Sequence, residues 1–253
     1  MINKFKIWKM AYLKKTLSYC FILVFLLTTA FILSACNENR SAKHDNNTKL
    51  NLKNYYPLSS DSYWSYDWEN TRGDRWHGAI KVVSMSVESP ERKIFVIVDT
   101  TVENGESEVS SSAYLWDDEG LKHLYRIAAN GDSARFNPPR IVIPTTMQCD
   151  SIYRYNYHYE VYSPGGNMTF KGDVQQKYKL HEVGSVETGE KSWKDAVAIE
   201  SLRQDDFPNG ESIKRRALVW YAKDVGPVKI ISGIPTDIDE LVGDMTGILA
   251  DWR

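Results

Sequence analysis

From about residue 55 onward, apolar and polar positions alternate with a period of two, the signature of half-buried strands. Ile80-Lys81-Val82-Val83, Ile94-Phe95-Val96-Ile97-Val98 and Val197-Ala198-Ile199-Glu200-Ser201-Leu202 carry the pattern. Successive side chains of a strand point to opposite faces, so one face of each segment is built for a core and the other for water. Asn104-Gly105, Asn130-Gly131, Gly165-Gly166 and Asn209-Gly210 lie between such segments and read as hairpin turns. Residues 109–116 read as a strand despite their serines, and residues 237–249 as an edge strand or a short helix. No long amphipathic helix is visible in this part of the chain. The pattern predicts an all-β, antiparallel domain, because parallel strands would need helical crossovers.

Landmarks recur in the same order along the chain. Asp61-Ser62-Tyr63-Trp64-Ser65-Tyr66-Asp67-Trp68 parallels Asp150-Ser151-Ile152-Tyr153-Arg154-Tyr155-Asn156-Tyr157. Trp76-His77-Gly78 parallels Phe170-Lys171-Gly172, and Asn104-Gly105-Glu106-Ser107 recurs as Asn209-Gly210-Glu211-Ser212. Leu115-Trp116 with Gly120-Leu121-Lys122 echoes Val219-Trp220 with Gly226-Pro227-Val228-Lys229. The order predicts an internal duplication of two tandem meanders of about five strands each, over roughly residues 55–143 and 144–232, with a tail at 233–253. A meander cannot bury its apolar face alone, so the halves are expected to pack as one barrel-like or sandwich domain. Pro138-Pro139 and Pro144 bracket Arg140-Ile141-Val142-Ile143, which reads as the connection between halves with a short edge strand.

The first 35 residues differ from everything after them. Lys4, Lys6, Lys9, Lys14 and Lys15 precede an uncharged apolar run that contains Phe21-Ile22-Leu23-Val24-Phe25-Leu26-Leu27 and ends at Leu33-Ser34-Ala35-Cys36. A basic start, an apolar middle and small residues at the end define an export signal, with Met1 or Met10 as the start. The run is also long enough to span a bilayer, which leaves a retained transmembrane helix as the alternative. Residues 36–54 are rich in Asn, Lys and Ser without apolar periodicity and read as a flexible tether. The segments are therefore a signal at 1–35, a tether at 36–54 and a β domain at 55–253.

Leu33-Ser34-Ala35-Cys36 resembles the lipobox of bacterial lipoproteins. The resemblance implies cleavage before Cys36, lipidation of that cysteine, and anchoring to a membrane by its acyl chains. With Asn37 rather than Asp after the cysteine, it further implies the outer membrane, facing the periplasm, in a Gram-negative host. Tyr56-Pro57-Leu58 with Tyr63-Trp64-Ser65-Tyr66, and Trp220-Tyr221-Ala222-Lys223-Asp224-Val225-Gly226-Pro227-Val228-Lys229, are similar to the opening and closing motifs of uncharacterised bacterial lipoproteins. Asp61 and Asp224 stand where that group carries glycine. The group brings no activity with it. Removing the signal leaves 26 basic against 33 acidic residues, a net charge of −7, which disfavours nucleic acid as a partner. With Cys36 acylated, Cys149 has no intrachain partner, and the core must supply the stability that a disulfide would give in an oxidising compartment.

The most distinctive candidates for binding are aromatic. Tyr153, Tyr155, Tyr157 and Tyr159 share one face of one strand, and Trp64, Tyr66 and Trp68 take equivalent positions in the first half. These ladders either line the core or form an open face for stacking on a glycan or gripping an acyl chain, with inner rings packed and outer rings at a cleft mouth as the mixed case. Polar residues occupy the other faces: Arg154, Asn156, His158 and Glu160, and Tyr63, Ser65, Asp67 and Glu69. His158 and Glu160 could offer two metal ligands, but zinc needs three or four and no third is indicated, so no metal or cofactor is expected. No zincin, nucleophile-elbow or Cys-x-x-Cys motif occurs, and no catalytic residue is assigned. The sequence thus points to a non-enzymatic, lipid-anchored envelope module for binding or scaffolding, with a glycan, lipid or envelope protein as partner. The alternatives are an envelope hydrolase with an unrecognised site or a subunit of an envelope assembly.

Overall fold

A computed structural model describes residues 49–234 and 245–253; the apolar run, Cys36 and residues 37–48 lie outside the described residues. Among the described residues, fourteen strands and one short 3-10 turn follow in order. They are β1 (Lys49–Asn51), the turn (Lys53–Tyr55), β2 (Tyr63–Asn70), β3 (Arg75–Ser89), β4 (Arg92–Glu103), β5 (Glu106–Trp116), β6 (Gly120–Ile127) and β7 (Ser133–Pro144). Then come β8 (Thr146–Gln148), β9 (Ile152–Tyr162), β10 (Met168–Thr188), β11 (Lys191–Asp206), β12 (Ser212–Ala222), β13 (Gly226–Gly233) and β14 (Met245–Trp252). Twelve of them close an antiparallel barrel in the order β2 to β7, then β9 to β14, and back to β2, while β1 and β8 pair as a separate ribbon. The expected all-antiparallel β architecture is therefore present. The expected pair of five-stranded meanders is not: six barrel strands, β2 to β7, precede β8 and six, β9 to β14, follow it, with β1 and β8 forming the ribbon.

Tight turns explain the local pairing. Asn104 (φ 51°) and Gly105 (φ 83°) form a two-residue link between Glu103 and Glu106, where positive φ at both positions matches the right-handed twist of the hairpin. Two pairings that are not simple hairpins complete the barrel. β14 joins β2, so residues 245–249 of the segment read as an edge strand or short helix belong to a closing strand, while residues 237–244 lie outside the described residues. β7 joins β9 only along Ser133 to Asn137, which face Tyr162 to His158. The ladder ends there because Pro138 and Pro139 have no N–H to donate. Residues 140–144 do not form a separate edge connection; they stay in β7 and remain paired with β6 through Arg140–His123 and Ile143–Leu121.

One end of the barrel is solid. Trp64, Tyr66, Val82, Phe95, Leu121, Ile143, Leu180, Val197, Tyr221 and Val228 fill it from the wall. Leu52, Tyr55 and Met147 plug it from the ribbon and the 3-10 turn. Residues 49–54, expected to belong to a flexible tether, are thus part of the fold, with Leu52 fully buried and its N–H donated to the Thr145 carbonyl. The composition of this segment conceals the role of that single leucine. The outer face of β9 and β10 carries Arg154, His158, Glu160, Lys171, Asp173 and Lys177, unlike the apolar band, about 25 Å tall, of a membrane-spanning barrel.

Candidate functional site

Strand parity decides what faces the lumen. On β2, Trp64, Tyr66 and Trp68 point inward; on β9, Tyr153, Tyr155, Tyr157 and Tyr159 do. Both aromatic ladders therefore line the interior, but their rings lie at different depths. Trp64 and Tyr66 are buried at the packed end, where Trp64 Nε1 donates to the Val225 carbonyl at 2.6 Å and the Tyr66 hydroxyl donates to the Pro227 carbonyl at 2.9 Å. Tyr157 is buried and donates to Gln176 Oε1 at 3.4 Å. Tyr153, Tyr155, Tyr159 and Trp68 are half-buried. Tyr153 accepts the Gln148 N–H at 3.0 Å, while Tyr155 meets Tyr178 edge-on where β9 has lost its β7 partner. Trp68 lies between two glycines: a Cβ on Gly78 would come within 2.9 Å of its ring nitrogen, and one on Gly247 within 2.7 Å of its ring carbons.

Toward the other end the inward positions turn polar. Asp99 on β4, Ser110 and Ser112 on β5, Arg126 on β6, Gln176 on β10, Ser201, Arg203 and Asp205 on β11, Arg215 on β12 and Ser232 on β13 all share the lumen face. Arg140 joins them directly after the proline pair, in register with His123. A cavity of about 810 Å³ opens here, lined by Trp76, Arg140, Gln176, Ser201, Arg203, Arg215 and Ser232 among others. The size fits the range of small-molecule sites, roughly 300–1,000 Å³.

The electrostatics of this half-lumen are uneven. Arg203 is paired with buried Asp205 at 2.6 Å, and its guanidinium also lies over the rings of Tyr157 and Tyr159. Burial pushes the Asp99 carboxyl up, and nearby Arg126 pulls it down. His123 is stacked on Tyr114 with centroids 4.5 Å apart and interplanar angle 13°. Burial and then the Arg140 charge lower its pKa to about 3, so the ring is neutral at pH 7. Burial raises Tyr114, Tyr157 and Tyr178, which keeps these phenols uncharged around Arg140. The Tyr178 hydroxyl donates to the Ile141 carbonyl across the seam between β7 and β9. Arg140 Nε, His123 Nε2 and Ser232 Oγ are shielded from solvent without a hydrogen-bond partner.

His158 and Glu160 lie on the outer face and have separate partners. His158 pairs with Asp173, and Glu160 accepts the Tyr162 hydroxyl at 2.6 Å. Among the described residues no group of three or more His, Cys, Asp or Glu side chains is placed to hold a metal. Cys149 is a half-buried free thiol. The polar lumen residues were not singled out in the sequence, although one signal for them exists. Val197, Ile199 and Ser201 set the inward parity of β11, and the same parity reaches Arg203 and Asp205. Arg140 gave no such signal, because two prolines made its segment look like a linker.

No family model and no curated protein matches the chain. Among solved structures it is similar to a candidate lipoprotein from Parabacteroides distasonis, with a TM-score of 0.53 and 11% identity over 79% of this chain and 98% of that one. It is also similar to a candidate exported protein with a YmcC-like fold from Bacteroides fragilis, with a TM-score of 0.47 and 12% identity over 78% of this chain and 98% of that one. At such identities the likeness to the first is one of fold.

Proposed function

We propose that this protein is a lipid-anchored, non-enzymatic module of the cell envelope that holds a small ligand in the open half of its barrel. The observation that carries the reading is the division of the lumen: one end is packed solid, and the other contains a cavity of about 810 Å³ with convergent polar and aromatic groups. Large barrels are one of the folds that enclose ligand cavities in this way. The lipobox-like Leu33-Ser34-Ala35-Cys36 supports the anchor, and the name of the Parabacteroides protein is consistent with it. In a Gram-negative host the expected site is the outer membrane, facing the periplasm. The chain joins the barrel at the packed end, where Leu52 is buried, so the cavity opens at the end opposite the attachment of the tether.

The two halves of the barrel also read as one duplicated unit of six strands. Gly78 on β3 seats Trp68 of the preceding strand, and Gly172 on β10 likewise seats Tyr159. The Asn-Gly turns link β4 to β5 and β11 to β12. Superposing β2–β7 on β9–β14 tests this; halves that align only pair by pair would reject it.

The functional reading is tested in two steps. Cell fractionation should find the wild type with membranes and the Cys36→Ser variant in the soluble fraction; equal distribution would remove the anchor. Tryptophan fluorescence during titration with sugars, sugar acids and short-chain lipids should change with at least one class and become less responsive in Trp76→Ala. An emission unaffected by every class would remove the ligand-binding role.

A further inference from the structure

The open half-lumen holds a guanidinium, that of Arg140, which no carboxylate among the described residues pairs with. Among the described residues four arginines face inward: Arg140 and Arg203 are half-buried, and Arg126 and Arg215 are exposed toward the rim. Asp205 is committed to Arg203, and Asp99 lies under the influence of Arg126. Glu103, Glu106 and Glu108 share the inward parity of β4 and β5 but are exposed at the rim, on strands distant in barrel order from β12. Among the described residues no carboxylate forms an ion pair with Arg140 or Arg215. The groups acting on Arg140 are neutral phenols, those of Tyr178, Tyr157 and Tyr114.

An unbalanced guanidinium inside a barrel is costly to keep unless something else answers it. Its surroundings also look prepared for a guest. Arg140 Nε and Ser232 Oγ, both of cavity-lining residues, have no partner, and neither does Nε2 of His123, which is 6% exposed and in register with Arg140. Arg140 offers a planar fork suited to a carboxylate or phosphate. Gln176, Ser201 and Ser232 add groups that both donate and accept, which suit hydroxyls, and Trp76 adds an aromatic wall.

We propose that the lumen binds an organic oxyanion, a carboxylate or phosphate on a hydroxyl-rich scaffold such as an acidic sugar, with the half-buried Arg140 as the first cation and Arg215 as a second cation nearer the mouth. This rests on the reading of the cavity as a ligand site and gives that site its ligand class. Arg203 is not the primary contact because Asp205 already holds it. Arg140 binds and orients the ligand; no covalent step is involved.

Calorimetric titration of the full chain in detergent tests the assignment with four probes: glucuronate, glucose 6-phosphate, glucose and inorganic phosphate. At least one acidic sugar should bind, and glucose should bind about tenfold more weakly or not at all. Arg140→Gln should lose about tenfold or more toward the acidic sugar, Arg140→Lys should retain part of the affinity, and Arg215→Gln should lose less than Arg140→Gln. Circular dichroism establishes that each variant is folded, and Arg140→Lys supplies the comparison if Arg140→Gln is not. Preference for glucuronate or for glucose 6-phosphate distinguishes a carboxylate from a phosphate ligand. Glucose binding equal to that of both acids, unchanged in Arg140→Gln, would overturn the oxyanion proposal and leave the ligand-site reading intact. No heat from any probe would overturn the proposal; an accompanying absence of fluorescence response to lipids would overturn the ligand-site reading too.

Discussion

Replacing Arg140 with methionine should make the empty barrel more stable while abolishing its response to oxyanions. The effective cost of removing one ion from water inside a protein is several kcal/mol. Two features reduce that cost here: the guanidinium borders a cavity and it has a hydrogen bond with Tyr178. Methionine fills a similar length without charge, and Tyr178 retains its bond to the Ile141 carbonyl. The balance is a gain of about 1–2 kcal/mol. In a domain of this size that corresponds to about 2–8 °C in Tm. The assay is thermal and urea unfolding in a buffer free of oxyanions, repeated with added phosphate. Phosphate should raise the Tm of the wild type and leave that of Arg140→Met unchanged, because a ligand stabilises only the state that binds it. A loss of more than about 2 kcal/mol in Arg140→Met without oxyanion would mean that the guanidinium already has a compensating partner and that no ligand is needed to answer it.

Three further outcomes follow from the packing. His123 has a folded pKa of about 3 against an ordinary value of 6.5, so its stabilising contribution is complete above pH 6.5 and is lost as pH falls toward 3. Its share of the slope is about 1.4 kcal/mol per pH unit, and urea unfolding across that window should be flatter in His123→Phe. Gly247→Ala should cost about 1–3 kcal/mol in chemical unfolding because the new methyl group meets the Trp68 ring, and a cycle with Trp68→Leu should recover much of the loss. Leu52→Ala should cost about 2–5 kcal/mol in the same assay if the segment that enters the barrel is structural, whereas a tether residue would cost nothing measurable.

Much of the barrel wall was legible because alternation is a local property. Ile94 to Val98 and Val197 to Leu202 declare their strands, and Asn104-Gly105 declares its turn, without reference to distant residues. Closure was not legible. The pairing of β14 with β2 joins segments far apart in sequence, and nothing local in residues 245–252 distinguishes a closing strand from an edge. Parity also gives direction without depth. Tyr155, Tyr157 and Tyr159 have the same parity, yet only Tyr157 is buried, beside Gln176 and Phe136. Leu52 was hidden by its Asn- and Lys-rich neighbours, and Arg140 by flanking prolines that interrupt only the β9 side of its strand. The residues now assigned to the cavity were the hardest to find, because a charged side chain at an inward position looks the same in sequence as one facing water.

The most direct test of the divided lumen is nuclear magnetic resonance of the tryptophan indole N–H groups during titration with glucose 6-phosphate and glucuronate. Trp76 lines the cavity, Trp64 and Trp116 belong to the packed end, and Trp220 lies on the outer face beneath Lys229. The Trp76 resonance should shift with saturation while those of Trp64, Trp116 and Trp220 stay in place. A Trp76 resonance that does not move, or one that moves no more than that of Trp220, would contradict the divided lumen.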